Sequence, residues 1–268
     1  MNKSLEIEQY YNEGNNLLLK GDLSKAVLKL QKLLFLQPDH YRGRFKLGLA
    51  LAKQEKYLQA ESVFRTAIAL IPENSFAYYC YGLTLSRQEK MEKAEEAFRK
   101  SILLNCYDYN SYNNLGEILT QKGEYSEAIL QYKRAQMLSP NDQSYNGLGY
   151  LYFLQGEYDD AIMSFNKALK IDFSFSMAYF NKCMVLVCIG QIEEGKESFK
   201  KGSEYIWLSK NCRKEFESCL KIYQKERVRV GKVREEVGFK EKGLIERNLK
   251  GFDFVIKLLE KELETVGC

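Results

Sequence analysis

The chain has 268 residues, of which 45% are hydrophobic and 13% aromatic, enough apolar material to fill a substantial core. Three prolines and no Ser- or Gly-rich run leave little room for disordered linkers. The net charge of +4 is uneven: residues 196–234 hold 12 Lys or Arg against 5 Glu, so basic character belongs to one local block.

The N-terminal stretch contains Lys3, Glu6, Glu8 and Glu13 and no apolar run of the length a signal peptide needs, so it is expected to begin the first helix. From there small residues recur in one phase, at Gly14, Gly48, Gly82, Gly116, Gly149 and Cys183, in steps of 34, 34, 34, 33 and 34. A second class keeps the same register at Ala26, Ala60, Ala94, Ala128, Ala161 and Gly195. A large residue follows each four positions later: Leu30, Phe64, Phe98, Tyr132, Phe165 and Phe199. Two helices cross closely only where a side chain is nearly absent, which gives the small residues a physical reason to recur.

Residues 109–140 show the unit most completely. Tyr112, Leu115, Gly116 and Leu119 share helical spacing, Gly123 and Tyr125 make a turn, and Ala128, Tyr132 and Ala135 lead to Pro140. Pro38 and Pro72 close two other units. One such hairpin has too little core to fold alone, so the copies are expected to stack.

Catalytic and metal chemistry find little support. His40 is the sole histidine and falls in the loop between the first two units. Cys80, Cys106, Cys183, Cys188, Cys212, Cys219 and Cys268 form no Cys-x-x-Cys and are read as reduced packing thiols. Asp159-Asp160 and Glu193-Glu194 stand where second helices begin, and there acidic side chains complement the helix dipole. No glycine-rich phosphate loop occurs, so no catalytic residue, metal or cofactor is expected. The longest apolar stretch, Met184–Ile189, is far short of the roughly 20 residues that span a bilayer. No membrane association and a cytoplasmic location are the expectation.

An aromatic, a Leu-Gly pair, an Ala with an aromatic four residues later and a closing Pro together resemble the tetratricopeptide repeat family. The resemblance covers six units, roughly residues 7–207. Unit 6 departs most, with Lys182-Cys183 for Leu-Gly, Gly195 for Ala and Trp207 for Pro, and is expected to serve as an end cap. The resemblance implies an all-α, right-handed αα-superhelix of about six hairpins over residues 1–207, with a C-terminal helical extension and cap over 208–268. It also implies a non-catalytic scaffold or adaptor that binds a protein or peptide segment.

In that family the first helix of each unit lines a concave groove. Carried onto this sequence, the inward slots give Asn12, Asn15, Arg42, Lys46, Lys53 and Arg87 beside Phe45, Phe76 and Tyr79. Next come the amides Asn110, Asn113, Asn114, Gln121, Gln143 and Asn146, and then an apolar end at Tyr150, Phe153, Met177, Phe180, Met184 and Val187. Amides can pair with the backbone of an extended peptide, and Arg and Lys suit acidic groups. The expected peptide-binding residues are therefore Asn12, Asn15, Arg42, Lys46, Tyr79, Arg87, Asn110, Asn113, Asn114 and Asn146. The family's two-carboxylate clamp for chaperone tails is not expected, because Tyr11, Lys46, Phe76 and Cys80 occupy slots that need other residues.

The apolar end of the groove requires a cover, and the extension offers one. Cys212, Phe216, Cys219, Leu220 and Tyr223 make a helical stripe over 209–224 after Ser209, read as its N-cap. Ile245, Leu249, Phe252, Ile256, Leu259 and Leu263 make a second seam, widened by Val255 and Leu258. Docking onto the array is favoured over a coiled-coil dimer, so a monomer is expected, with a dimer through the C-terminal helix as the alternative. Two alternatives stay open: a nucleic-acid-associated factor that uses the basic block at Arg227, Arg229, Lys232 and Arg234, and, independently of that block, a regulatory module of a separate enzyme.

Overall fold

The computed structural model describes residues 3–236 and 239–266, with side chains except at 233–236 and 239–240. Among the described residues there are fourteen helices and no strand. Six hairpins come first: α1 (Lys3–Leu19) with α2 (Leu23–Leu36), α3 (Tyr41–Lys53) with α4 (Tyr57–Leu70), and α5 (Ser75–Ser86) with α6 (Met91–Leu104). They continue as α7 (Tyr109–Lys122) with α8 (Tyr125–Leu138), α9 (Asp142–Gln155) with α10 (Tyr158–Ile171), and α11 (Ser176–Cys188) with α12 (Ile192–Trp207). Two longer helices follow, α13 (Cys212–Glu236) and α14 (Phe239–Val266).

Several helices begin where a polar side chain satisfies a free backbone N–H group, whereas α4, α6, α10, α11 and α12 start without a side-chain cap. Asp22 accepts from the Lys25 amide, Asn74 from Ala77 and Asn141 from Ser144. His40, which the sequence left in a loop without a role, does the same job: its Nδ1 accepts the Gly43 N–H at 2.9 Å and caps α3.

The repeat register is a steric relationship. A Cβ added to Gly48 would lie 2.7 Å from the Phe64 ring, one on Gly82 2.8 Å from Phe98, and one on Gly149 2.7 Å from Phe165. Each first helix thus gives up a side chain so that the large residue of its second helix can lie flat against its backbone. The alanine slot is sealed as well, with Ala26, Ala60, Ala94, Ala128 and Ala161 all fully buried.

The turn inside each hairpin has its own requirement. Gly21, Gly123, Gly156 and Gly190 hold φ between 81° and 89°, and in the corresponding places of the second and third hairpins stand Glu55 (φ 61°) and Glu89 (φ 59°). A left-handed residue is needed there, and glycine supplies it at least cost.

The contacts divide the chain into two compact units, Met1–Arg134 and Ala135–Cys268. The core of the first includes Leu30, Leu33, Leu47, Leu51 and Phe64. The core of the second runs from Phe153, Phe165, Phe180 and Phe199 into Phe216, Tyr223, Phe252, Val255 and Leu259. Helices α13 and α14 therefore share one core with the fifth and sixth hairpins, α14 packing against α11 and α9. One local expectation is corrected: α13 begins at Cys212 and runs on to Glu236, so Ser209 is not its N-cap. Ser209 Oγ instead accepts from the Asn211 amide at 3.2 Å and donates to Glu215.

Candidate functional site

The side chains with binding potential lie on the outward stripes of the first helices, opposite the faces that pack on second helices. On α3 the buried face is Gly43, Leu47, Gly48, Ala50 and Leu51, which leaves Arg42, Phe45, Lys46, Leu49 and Lys53 on the open stripe. On α5, Ala77, Cys80, Gly82, Thr84 and Leu85 are buried, and Phe76, Tyr79, Leu83 and Arg87 take the equivalent places.

In the first unit this surface is aromatic with a cationic border. Phe76 is 54% exposed although its ring lies 5.5 Å from Phe45 and stacks on Tyr79 at 5.8 Å. Phe45 and Tyr79 in turn touch the core rings Phe64 and Phe98, so the exposed ring stands on a fixed support. Burial raises the Tyr79 hydroxyl above its ordinary pKa and keeps it neutral. Arg42, Lys46, Lys53 and Arg87 form no ion pair among the described residues.

The expected amides divide by environment. Asn12 is exposed, and Asn15 is half-buried with its Oδ1 out of solvent and lacking a hydrogen-bond partner among the described residues. Asn114 is partly spent within α7, donating to the Asn110 carbonyl at 2.8 Å. Asn113 is only 4% exposed and is part of the packed interior of the first unit. In the second unit, Asn146 Oδ1 accepts from Asn181 Nδ2 at 2.9 Å and so ties α9 to α11.

The equivalent surface of the second unit is filled by the chain itself. Phe252 of α14 meets Phe153 edge-on at 5.9 Å and Tyr150 at 6.5 Å, while the Met177 sulfur is 3.8 Å from Cys219 Sγ of α13. Three polar latches fix the register. Tyr223 donates to Asn181 Oδ1 at 2.7 Å, Asn248 donates to the Phe153 carbonyl at 3.3 Å and accepts from Tyr158 at 2.9 Å, and Tyr150 donates to Glu226 at 2.8 Å. Burial raises Tyr223 and Tyr150 well above the ordinary tyrosine pKa and pushes Tyr158 up to about 12, so all three act as neutral donors.

Two of the basic-block arginines are engaged in this packing. Arg227 pairs with Asp253 of α14, and Arg229 holds Glu226 at 2.6 Å beside the Tyr150 hydroxyl. Lys232 is exposed, and the Arg234 side chain lies outside the described residues. Asn181 and Asn248 escaped the sequence reading. The available signal was a polar residue within an otherwise apolar stripe, which in a packed helix asks for a partner.

The repeat register, the close glycine contacts and the shared turn conformation agree with models of the tetratricopeptide repeat, which match residues 11–75, 77–105 and 143–175, and with a TPR repeat model matching residues 116–156. The chain is a tetratricopeptide repeat protein. No curated protein sequence matches it. Among solved structures, this repeat protein is similar to the APC/C hetero-tetramer Cut9-Hcn1, at 19% identity and a TM-score of 0.66, covering 77% of this chain and 41% of that one. It therefore spans less than half the length of that relative. It is also similar to PilF of Pseudomonas aeruginosa, at 16% identity and a TM-score of 0.63, covering 77% of this chain and 92% of that one. A third is YrrB, described as a TPR protein with an unusual peptide-binding site, at 22% identity and a TM-score of 0.56, covering 66% and 96%. These likenesses place the tetratricopeptide repeat chain among helical repeat folds. Among the described residues no helix is long and apolar enough to cross a membrane.

Proposed function

We propose that the protein is a non-catalytic adaptor whose binding surface is the first-helix stripe of the second and third hairpins. A single observation supports this reading: the equivalent stripe of the second unit is occupied by α13 and α14, while in the first unit an exposed Phe76 stands among unpaired cations. A chain that keeps a supported aromatic ring open to water beside exposed Arg and Lys has a surface suited to a partner. The amides Asn12, Asn15, Asn110 and Asn114 border it with hydrogen-bonding capacity. Asn113 and Asn146 contribute to packing and lie outside the proposed surface.

The basic block is a weaker candidate, since Arg227 and Arg229 are held in ion pairs that tie α13 to α14 and to Tyr150. Replacing Phe76 and Arg87 together with Ala is expected to lower affinity for a native partner at least about tenfold with an unchanged thermal midpoint. The outward Lys133→Ala control is expected to do neither. Retained affinity in the double variant would overturn the assignment.

A further inference from the structure

We infer that the partner of the open surface is an amphipathic α-helix with acidic flanks. This rests on the proposed binding surface and specifies what it takes. The chain contains its own example of an occupant. In the sixth hairpin the stripe positions Met177, Phe180, Asn181, Met184 and Cys188 all meet α13 or α14. Shifted back through the 34- and 33-residue register, those positions fall on Arg42, Phe45, Lys46, Leu49 and Lys53 of α3, and on Phe76, Tyr79, Cys80, Leu83 and Arg87 of α5. Apart from Cys80, which is buried within the first unit, the slots that receive a helix on α11 are uncovered on α3 and α5.

The occupant's shape follows from how α14 sits. Its buried face runs Ile245, Asn248, Phe252, Val255 and Leu259, and Gly251 lets its backbone approach α11 directly. A rod with an apolar stripe at steps of three and four fits this wall. The open wall has equivalent apolar positions at Phe45, Leu49, Phe76 and Leu83.

The occupant's charge follows from the difference between the two walls. Where α11 carries Met177 and Cys188, α3 carries Arg42 and Lys53, and α5 has Arg87 in the Cys188 slot. Arg42, Lys53 and Arg87 are exposed, and these cations form no ion pair among the described residues, so carboxylates on either flank of an incoming apolar stripe would meet them. Glu8 and Glu117 bound this cationic stretch in the register and discourage its extension to further acidic residues.

The test uses the full chain and three synthetic peptides of about 20 residues, long enough to form a helix when bound. One carries a Leu/Phe stripe flanked by Glu, the second has the same composition with two central prolines, and the third has Lys in place of Glu. Calorimetry is expected to show binding of the first, at least about tenfold weaker binding of the other two, and affinity that falls with added salt. Phe76→Ala is expected to weaken the first peptide by about tenfold, and R42A/K53A/R87A to remove most of the salt dependence. If the proline peptide binds as well as the first while Phe76→Ala still abolishes binding, the surface stands and the helical partner is overturned. If Phe76→Ala leaves binding of the first peptide unchanged, the surface itself is overturned. Binding of none of the three, or equal binding of the Lys and Glu peptides, would overturn the inference. Circular dichroism of each variant confirms that it folds.

Discussion

Gly251 of α14 lies directly on Met184 of α11: a Cβ added there would stand 2.6 Å from Met184 Cγ and 2.7 Å from its carbonyl oxygen. Both atoms are interior, and the carbonyl cannot yield without disturbing α11. Gly251→Val is therefore expected to destabilise the second unit by about 1–3 kcal/mol or more. Gly243 in the same helix meets nothing within 4 Å, and Gly243→Ala is expected to be neutral or stabilising by up to about 1 kcal/mol. Urea denaturation of both variants checks the pair, and equal midpoints would contradict the seating of α14.

The turn slots separate two hairpins from the rest. Glu89 sits at φ 59°, a conformation that costs a non-glycine residue roughly 1–2 kcal/mol and costs glycine almost nothing. Glycine gives back part of that through its freer unfolded state. Glu89→Gly is expected to raise stability by about 0.5–1 kcal/mol, read as an upward shift of the thermal midpoint. A lower midpoint would show that the Glu89 side chain contributes more than its backbone strain removes.

Thiol reactivity reports the packing of the first unit. Burial pushes Cys80 from its ordinary 9.0 up to about 12, whereas Cys106 is exposed on the loop before α7. The thiolate fraction of Cys80 at about pH 8 is lower by roughly a thousandfold, in addition to its inaccessibility. Alkylation followed by peptide mapping is expected to label Cys106 rapidly and Cys80 only after denaturant is added. Equal labelling in native buffer would contradict the buried placement.

Arg229 and Lys232 belong to the same basic block with different surroundings. Arg229 offsets Glu226, a mostly buried carboxylate beside Tyr150, while Lys232 is exposed. Arg229→Ala is expected to cost about 1–3 kcal/mol because Glu226 loses its counter-charge. Lys232→Ala is expected to change stability by less than about 0.5 kcal/mol. Chemical denaturation distinguishes a structural block from a merely solvated one.

The repeat was legible because its cause is local and periodic. Gly48 and Phe64, or Gly82 and Phe98, are sixteen residues apart in every copy, so each contact appears in the sequence as a phase. The apolar seam of α14 was legible in part for the same reason: Ile245, Phe252 and Leu259 are buried, whereas Leu249, Ile256 and Leu263 are only partly buried and Val255, expected beside the seam, is fully buried. The amide assignments depended on partners that spacing does not reveal. Asn146 is spent on Asn181, which is spent on Tyr223, a chain that joins three helices through residues 35 and 42 positions apart. The role of Glu55 and Glu89 was hidden too, because a turn that glycine marks elsewhere is filled there by a residue that carries no turn signal.

The most direct measurement places a photo-crosslinking phenylalanine analogue at position 76, at position 133 on α8, or at position 177 on the wall covered by α13, and maps adducts in cells by mass spectrometry. Phe76 is already an exposed aromatic ring, so the analogue fits there with little disturbance. If the open first-helix stripe binds the partner, position 76 gives a specific intermolecular adduct, position 133 gives none, and position 177 gives only intramolecular links to α13. Partner adducts at 133 or 177 with none at 76 would contradict the assignment of the binding surface.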